Sequence, residues 1–114
     1  MTTLLYDESF EGLMTAVFLI FEQRFEHAEI IKNASYNNTF FADVIHVSTD
    51  QEKADRVLKR LHTQTGHEGV RMLIYSFLSE DIYLEKNILE AIRYAITNTD
   101  KNVFTDFAHP SVLQ

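Results

Sequence analysis

The chain has no cysteine, one proline and three glycines. Without cysteine there is no disulfide framework, thiol nucleophile or thiolate zinc site, and a reduced, cytoplasmic setting is the expectation that fits. So few glycines and prolines leave little material for tight turns, which favours helix over many short strands. Long apolar runs are also missing. No stretch approaches the ~18 uncharged residues of a membrane span, and Leu13 to Phe21, the longest mostly apolar stretch, lies inside a helical pattern. A basic leader with a small-residue cleavage site is absent as well, so no secretory signal is expected. Nucleotide-binding glycine patterns, a G-x-S-x-G elbow and an H-E-x-x-H pair are all lacking. Positive charge is scarce: ten Lys and Arg face seventeen Asp and Glu, a formal charge of −7. Phosphate neutralisation needs clustered cations, so the chain is expected to bind DNA only weakly or not at all near physiological salt.

What is present is apolar bulk. Hydrophobic residues make up 46% of 114 positions, with nine Phe and five Tyr, enough for one domain over residues 1–114 with a packed core. "TLLYD" (3–7) reads as a strand. "SFEGLMTAVFLIFEQRF" (9–25) repeats Phe10, Met14, Val17, Phe21 and Phe25 at helical spacing, widened by Leu13 and Ile20, with Glu11, Thr15, Glu22 and Glu26 as a polar stripe. Ser9 or Asp7 suits its N-cap. Gly12 inside that helix points to a close approach, of a neighbouring backbone or of a ligand. Ile30 and Ile31 open a second strand, and "DVIHVST" (43–49) is a third, with His46 facing opposite to Ile45 and Val47. Thr49 followed by Glu52 reads as a capping box for a helix over 50–62. "HTQTGHEG" (62–69) reads as its break, "VRMLIYSFL" (70–78) as a further helix, and Ser79 as the cap of a helix over 79–97. The expected fold is a mainly helical α/β domain, a small sheet with a parallel βαβ unit packed against four or five helices. Phe10, Val17, Phe21, Leu58, Leu61, Ile74, Phe77, Ile88 and Ile92 are the expected core.

Residues that could carry chemistry are few. The histidines lack metal-ligand spacing, so no metal site and no cofactor is expected. Lys53, Arg56, Lys59 and Arg60 form a basic stripe interleaved with Asp50, Glu52 and Asp55. It is either a solvated helix face or a phosphate contact. In "DFAHP" (106–110), Asp106 and His109 stand three apart, which fits a carboxylate orienting a catalytic imidazole or the simple entry to a helix at Pro110. Val103, Phe104, Phe107, Val112 and Leu113 crowd the last twelve residues, which are expected to fold back on the core or to mediate a homodimer.

Taken in order, "LLYDESFEGLMTAVF", "VSTDQEKADRVLKRL", "SFLSED" and "DFAHPSVLQ" resemble the N-terminal part of a bacterial family described as probable DNA metabolism protein. That family is a domain of unknown function found beside a radical SAM protein, and in some members fused to a uracil-DNA glycosylase-like domain. The resemblance spans nearly the whole chain and rests on the ordered set of segments. In the family the turn after the first strand reads Tyr-Asp-Gly-Ser; here Glu8 stands where Gly would. The resemblance implies that these residues are the N-terminal portion of a longer family domain, which continues into a segment rich in His, Arg, Lys and aromatics. It also implies an accessory role in bacterial DNA repair or modification, with a radical SAM or uracil-DNA glycosylase-like partner. Two alternatives stand beside it: a non-catalytic protein–protein interaction domain, and an enzyme using Asp106 and His109.

Overall fold

The structure, a computed structural model, describes residues 2–35 and 43–97. It is a mainly helical α/β arrangement with a three-stranded parallel sheet. The elements are β1 (Thr2–Tyr6), α1 (Phe10–Gln23), β2 (Ala28–Lys32), a short 3-10 turn (Asn33–Ser35), β3 (Asp43–His46), α2 (Gln51–Leu78) and α3 (Leu84–Thr97). The chain divides into two compact units, Met1–Val57 and Leu58–Gln114, so α2 begins in the first and continues in the second.

In the first unit the strand order is β2-β1-β3, with both neighbours parallel to β1. Leu4 lies opposite Ile30 on one side and Ile45 on the other. Four consecutive residues of β1, Thr3 to Tyr6, are buried. An unbroken buried run is what a central parallel strand requires, since neither face meets water. The amide of Thr2 donates to the His27 carbonyl at 3.0 Å and that of Val47 to the Leu5 carbonyl at 2.8 Å, extending the pairing at both edges. His46 ends the edge strand β3 and is exposed.

Helix α1 lies on β1 and β2. Its buried residues are Gly12, Leu13, Met14, Thr15, Ala16, Val17 and Ile20. The face turned inward is therefore rotated away from the phenylalanine repeat: Phe10, Phe21 and Phe25 are only half-buried. Thr15, expected on the polar stripe, is 1% exposed. The helix ends at Arg24, in the left-handed conformation (φ 55), with the Phe25 amide donating to the Ile20 carbonyl at 3.1 Å. This is the usual way a last turn satisfies its carbonyls, though a glycine more commonly fills the position.

The helices expected separately over 50–62 and 70–78 are the two helical segments of α2, which meet at a kink at Gly66 (φ 74, ψ −172), inside the stretch 62–69 expected to break the helix. Thr65 is buried, and its hydroxyl donates to the Leu61 carbonyl one turn back at 2.8 Å. Leu61 and Leu73 are buried, whereas Ile74, expected in the core, is 40% exposed and Leu58 and Phe77 are half-buried. Leu73 and Ile74 are adjacent and therefore about 100° apart around the helix axis, so with Leu73 turned inward Ile74 faces away from the core. Helix α3 starts at Leu84 rather than Ser79. Ser79 closes α2 instead, its hydroxyl donating to the Ser76 carbonyl at 2.7 Å, while the Asp81 carboxylate accepts from the Tyr83 amide at 2.7 Å. The buried stripe of α3 is Leu84, Ile88, Leu89, Ala91, Ile92 and Ala95.

Among the described residues no helix is long and apolar enough to cross a membrane.

Candidate functional site

In an open parallel sheet, ligands bind beyond the carboxyl ends of the strands, where successive connections leave in opposite directions. With the order β2-β1-β3, that place lies between β1 and β3, within the first unit. Asp7 follows β1, Thr49 follows β3, and α1 starts between them.

These residues form a closed polar knot. The Asp7 carboxylate accepts from the Ser9 amide at 3.0 Å and the Ser9 hydroxyl at 2.5 Å through one oxygen. Through the other it accepts from the Thr49 hydroxyl at 2.8 Å. Ser9 in turn caps α1, its hydroxyl accepting from the Gly12 amide at 2.9 Å. The hydrogen bonds from the Ser9 side chain, the Ser9 amide and Thr49 hold the Asp7 carboxyl below its ordinary range, against a small opposing effect of desolvation. All of them favour the ionised form.

Gly12 belongs to the same knot. A Cβ there would collide with the Asp7 carboxylate and stand 2.9 Å from Ser9 Oγ and 3.0 Å from Thr49 Oγ1. The close approach expected at this glycine is thus made by polar side chains. Glu8, in the turn between β1 and α1, takes a positive φ of 69.

One turn further along α1, Thr15 joins the helix to the start of α2. Its hydroxyl contacts the Glu11 carbonyl at 2.7 Å and the Asp50 carbonyl at 3.2 Å, and accepts from the Asp50 amide at 3.1 Å. Asp50, not Thr49, caps α2: its carboxylate accepts from the Lys53 amide at 3.2 Å and its carbonyl from the Ala54 amide at 3.0 Å. The expected Thr49–Glu52 capping box does not form because the Thr49 hydroxyl is drawn across to Asp7. Both carboxylate oxygens of Asp7 and both hydroxyls are thus engaged inside the knot. Its chemistry is that of a brace tying together β1, β3 and the starts of two helices.

The basic stripe is divided. Lys53 and Arg56 lie in the first unit and meet Phe18 of α1, with Lys53 Nζ 5.7 Å and the Arg56 guanidinium carbon 5.4 Å from the ring centroid. Lys59 and Arg60 follow on α2 in the second unit and are exposed. Sequence reasoning missed Phe18 as a partner. Its only signal was that, inside an otherwise apolar helix, it falls outside the heavily buried face. His27, His46, His62 and His67 are all exposed. Among the described residues no three His, Asp or Glu are grouped to hold a metal ion. Asp106, His109 and the apolar cluster at 103–113 lie outside the described residues. Compared with known proteins, the chain matches no protein-family model, no curated protein and no solved structure.

Proposed function

We propose that this chain is an accessory module of bacterial DNA repair or modification that works with a radical SAM partner. The reading rests on the family resemblance. One observation supports it: the two longest resembling segments, starting at Leu4 and Val47, supply the side chains of the polar knot, Asp7 and Ser9 from one and Thr49 from the other. The test is size-exclusion chromatography of the purified chain mixed with a radical SAM protein of the kind found beside members of the resembling family. Co-elution at the mass of a complex is the expected result. Separate elution at micromolar concentrations counts against the reading.

A second reading, a non-catalytic interaction domain, is favoured by a different observation. Ile74, Tyr75, Leu78, Ile82 and Tyr83, close together in sequence around the end of α2, are all exposed, Ile82 at 83%. Large apolar side chains clustered at a surface are a common mark of partner contact. Tyr75 and Leu78 replaced by Ser should abolish co-elution with any partner held there, while leaving the far-UV circular dichroism spectrum unchanged.

A further inference from the structure

We infer that Phe18, Lys53 and Arg56 form a contact for the phosphodiester backbone of single-stranded nucleic acid, an inference that rests on the DNA reading above. Two cations stand over one aromatic ring, at 5.7 and 5.4 Å from its centroid. Each is attracted by the negative face of the ring. Held to the same ring, they also repel each other. Among the described residues no carboxylate forms an ion pair with either. Asp55, which lies between them in sequence, instead accepts from the Gln51 side-chain amide at 2.8 Å. In a chain of net charge −7, two cations over one ring with no carboxylate ion-paired to either among the described residues are an electrostatic exception, and an anion placed between them lowers the repulsion.

The chemistry of the three residues selects the anion. A guanidinium offers a planar fork of donors that matches a phosphate, and an ammonium adds a point charge. Lys53 and Phe18 are half-buried and Arg56 is exposed, so the charged heads are reachable while the ring limits their motion. Phe18 is a positioning residue here: it holds the cations near one another before the ligand arrives. When they turn to the phosphates, its face is free to stack on an unpaired base, the combination used by proteins that bind single strands. A duplex offers no such base.

The experiment is fluorescence anisotropy of a labelled oligothymidylate with the full chain. Two phosphate contacts on a single strand predict a slope of about −1.4 in log K against log salt, so a fourfold rise in salt weakens binding by about sevenfold. Lys53→Gln and Arg56→Gln should each halve that slope to about −0.7, and the double variant should bind no more tightly than background. Lys53→Arg should retain the slope. Phe18→Leu should weaken binding a few-fold at an unchanged slope. Circular dichroism of each variant excludes unfolding as the cause. A double variant that binds with the wild-type slope overturns the contact but leaves DNA binding to other residues. Equal affinity for oligoglutamate overturns the phosphate assignment. A folded wild-type chain that binds nothing at low salt overturns the contact, while the partner reading is still decided separately by co-elution.

Discussion

In the first unit, residues far apart in sequence meet through polar side chains: Asp7 accepts from Thr49, and Thr15 bonds to the backbone of Asp50, 35 positions away. In the second, Thr65, Ser79 and Asp81 bond to backbone groups no more than four positions away, and burial falls on the apolar stripe of α3. The difference follows from topology. Parallel strands cannot be joined by a tight turn, so their ends must be brought together from a distance. A hydroxyl or carboxylate that finds one geometry there fixes the arrangement more sharply than apolar contact, which tolerates sliding. Helices satisfy their own backbones and need polar side chains mainly at their ends and breaks.

The largest expected effect tests whether the first unit depends on burial as well as on these ties. Val17 is fully buried on α1. Val17→Asp places an unpaired charge in the core and should cost about 4 kcal/mol or more, abolishing the cooperative thermal transition. A variant melting like the wild type would remove α1 from the centre of the unit.

Two intermediate substitutions, one per unit, sharpen the contrast. Gly66→Ala should destabilise by about 1–3 kcal/mol, because φ 74 with ψ −172 belongs to a region essentially reserved for glycine. No atom crowds the position, so the cost comes from backbone conformation alone, and a β-branched replacement should be worse than Ala. Thr15→Val keeps the shape and deletes the hydroxyl. It leaves the half-buried Asp50 amide without this partner and should cost about 1 kcal/mol. Urea titration measures both. A neutral Thr15→Val would mean that α1 and the start of α2 are joined by packing, and the contrast between the units would fail.

The pH dependence of the knot is a smaller effect with a definite sign. The folded-state pKa of Asp7 is lowered, so its contribution to stability is fully present above the unfolded value. It is lost as pH falls through the lower, folded value. Asp7→Asn should therefore be less stable than the wild type at neutral pH, with the gap closing in acid below the ordinary aspartate range. A gap that stays constant across the acid range would assign the difference to geometry rather than charge. The smallest expected effect is a gain. Glu8 has a positive φ of 69, and Glu8→Gly should stabilise by up to about 1 kcal/mol, the left-handed cost less the extra chain entropy of glycine. Destabilisation would show that the Glu8 side chain contributes to the turn.

Where one residue's pattern decides its place, the sequence was a good guide. The α3 stripe was legible from its spacing: Leu84, Ile88, Ala91, Ile92, Ala95 and Ile96 recur at helical intervals, and all but the half-buried Ile96 are buried, together with Leu89. The three strands were legible from β-branched and apolar runs, and the parallel pairing of β1 with β3 from the helix between them. What escaped depends on partners that a local window does not contain. Thr15 looks like a surface residue until Asp50 is brought to it. Thr49 looks like a cap until Asp7 competes for its hydroxyl. Phe18 shows no role until α2 places two cations over it. The glycine- and threonine-rich stretch 62–69 reads as a break by composition, and the kink falls within it at Gly66; composition does not show how closely the helical segments approach that residue on either side. Of the candidate site residues, Lys53 and Arg56 meet at one ring while Lys59 and Arg60 do not join them.

The central position of β1 also sets a schedule for synthesis. Thr2 pairs with both Ala28 and Asp43, so β1, made before either neighbour, has both only once β3 has been made. Some forty residues separate its emergence from that of β3, on the order of 2–8 s at ~5–20 residues per second. During that interval Leu4, Leu5 and Tyr6 form an apolar ribbon with an open edge, the kind of segment that recruits foreign strands. The nascent chain is therefore most vulnerable to aggregation before Asp43–His46 has left the ribosome, and slowing translation between β2 and β3 should lower the soluble yield more than slowing it after α2.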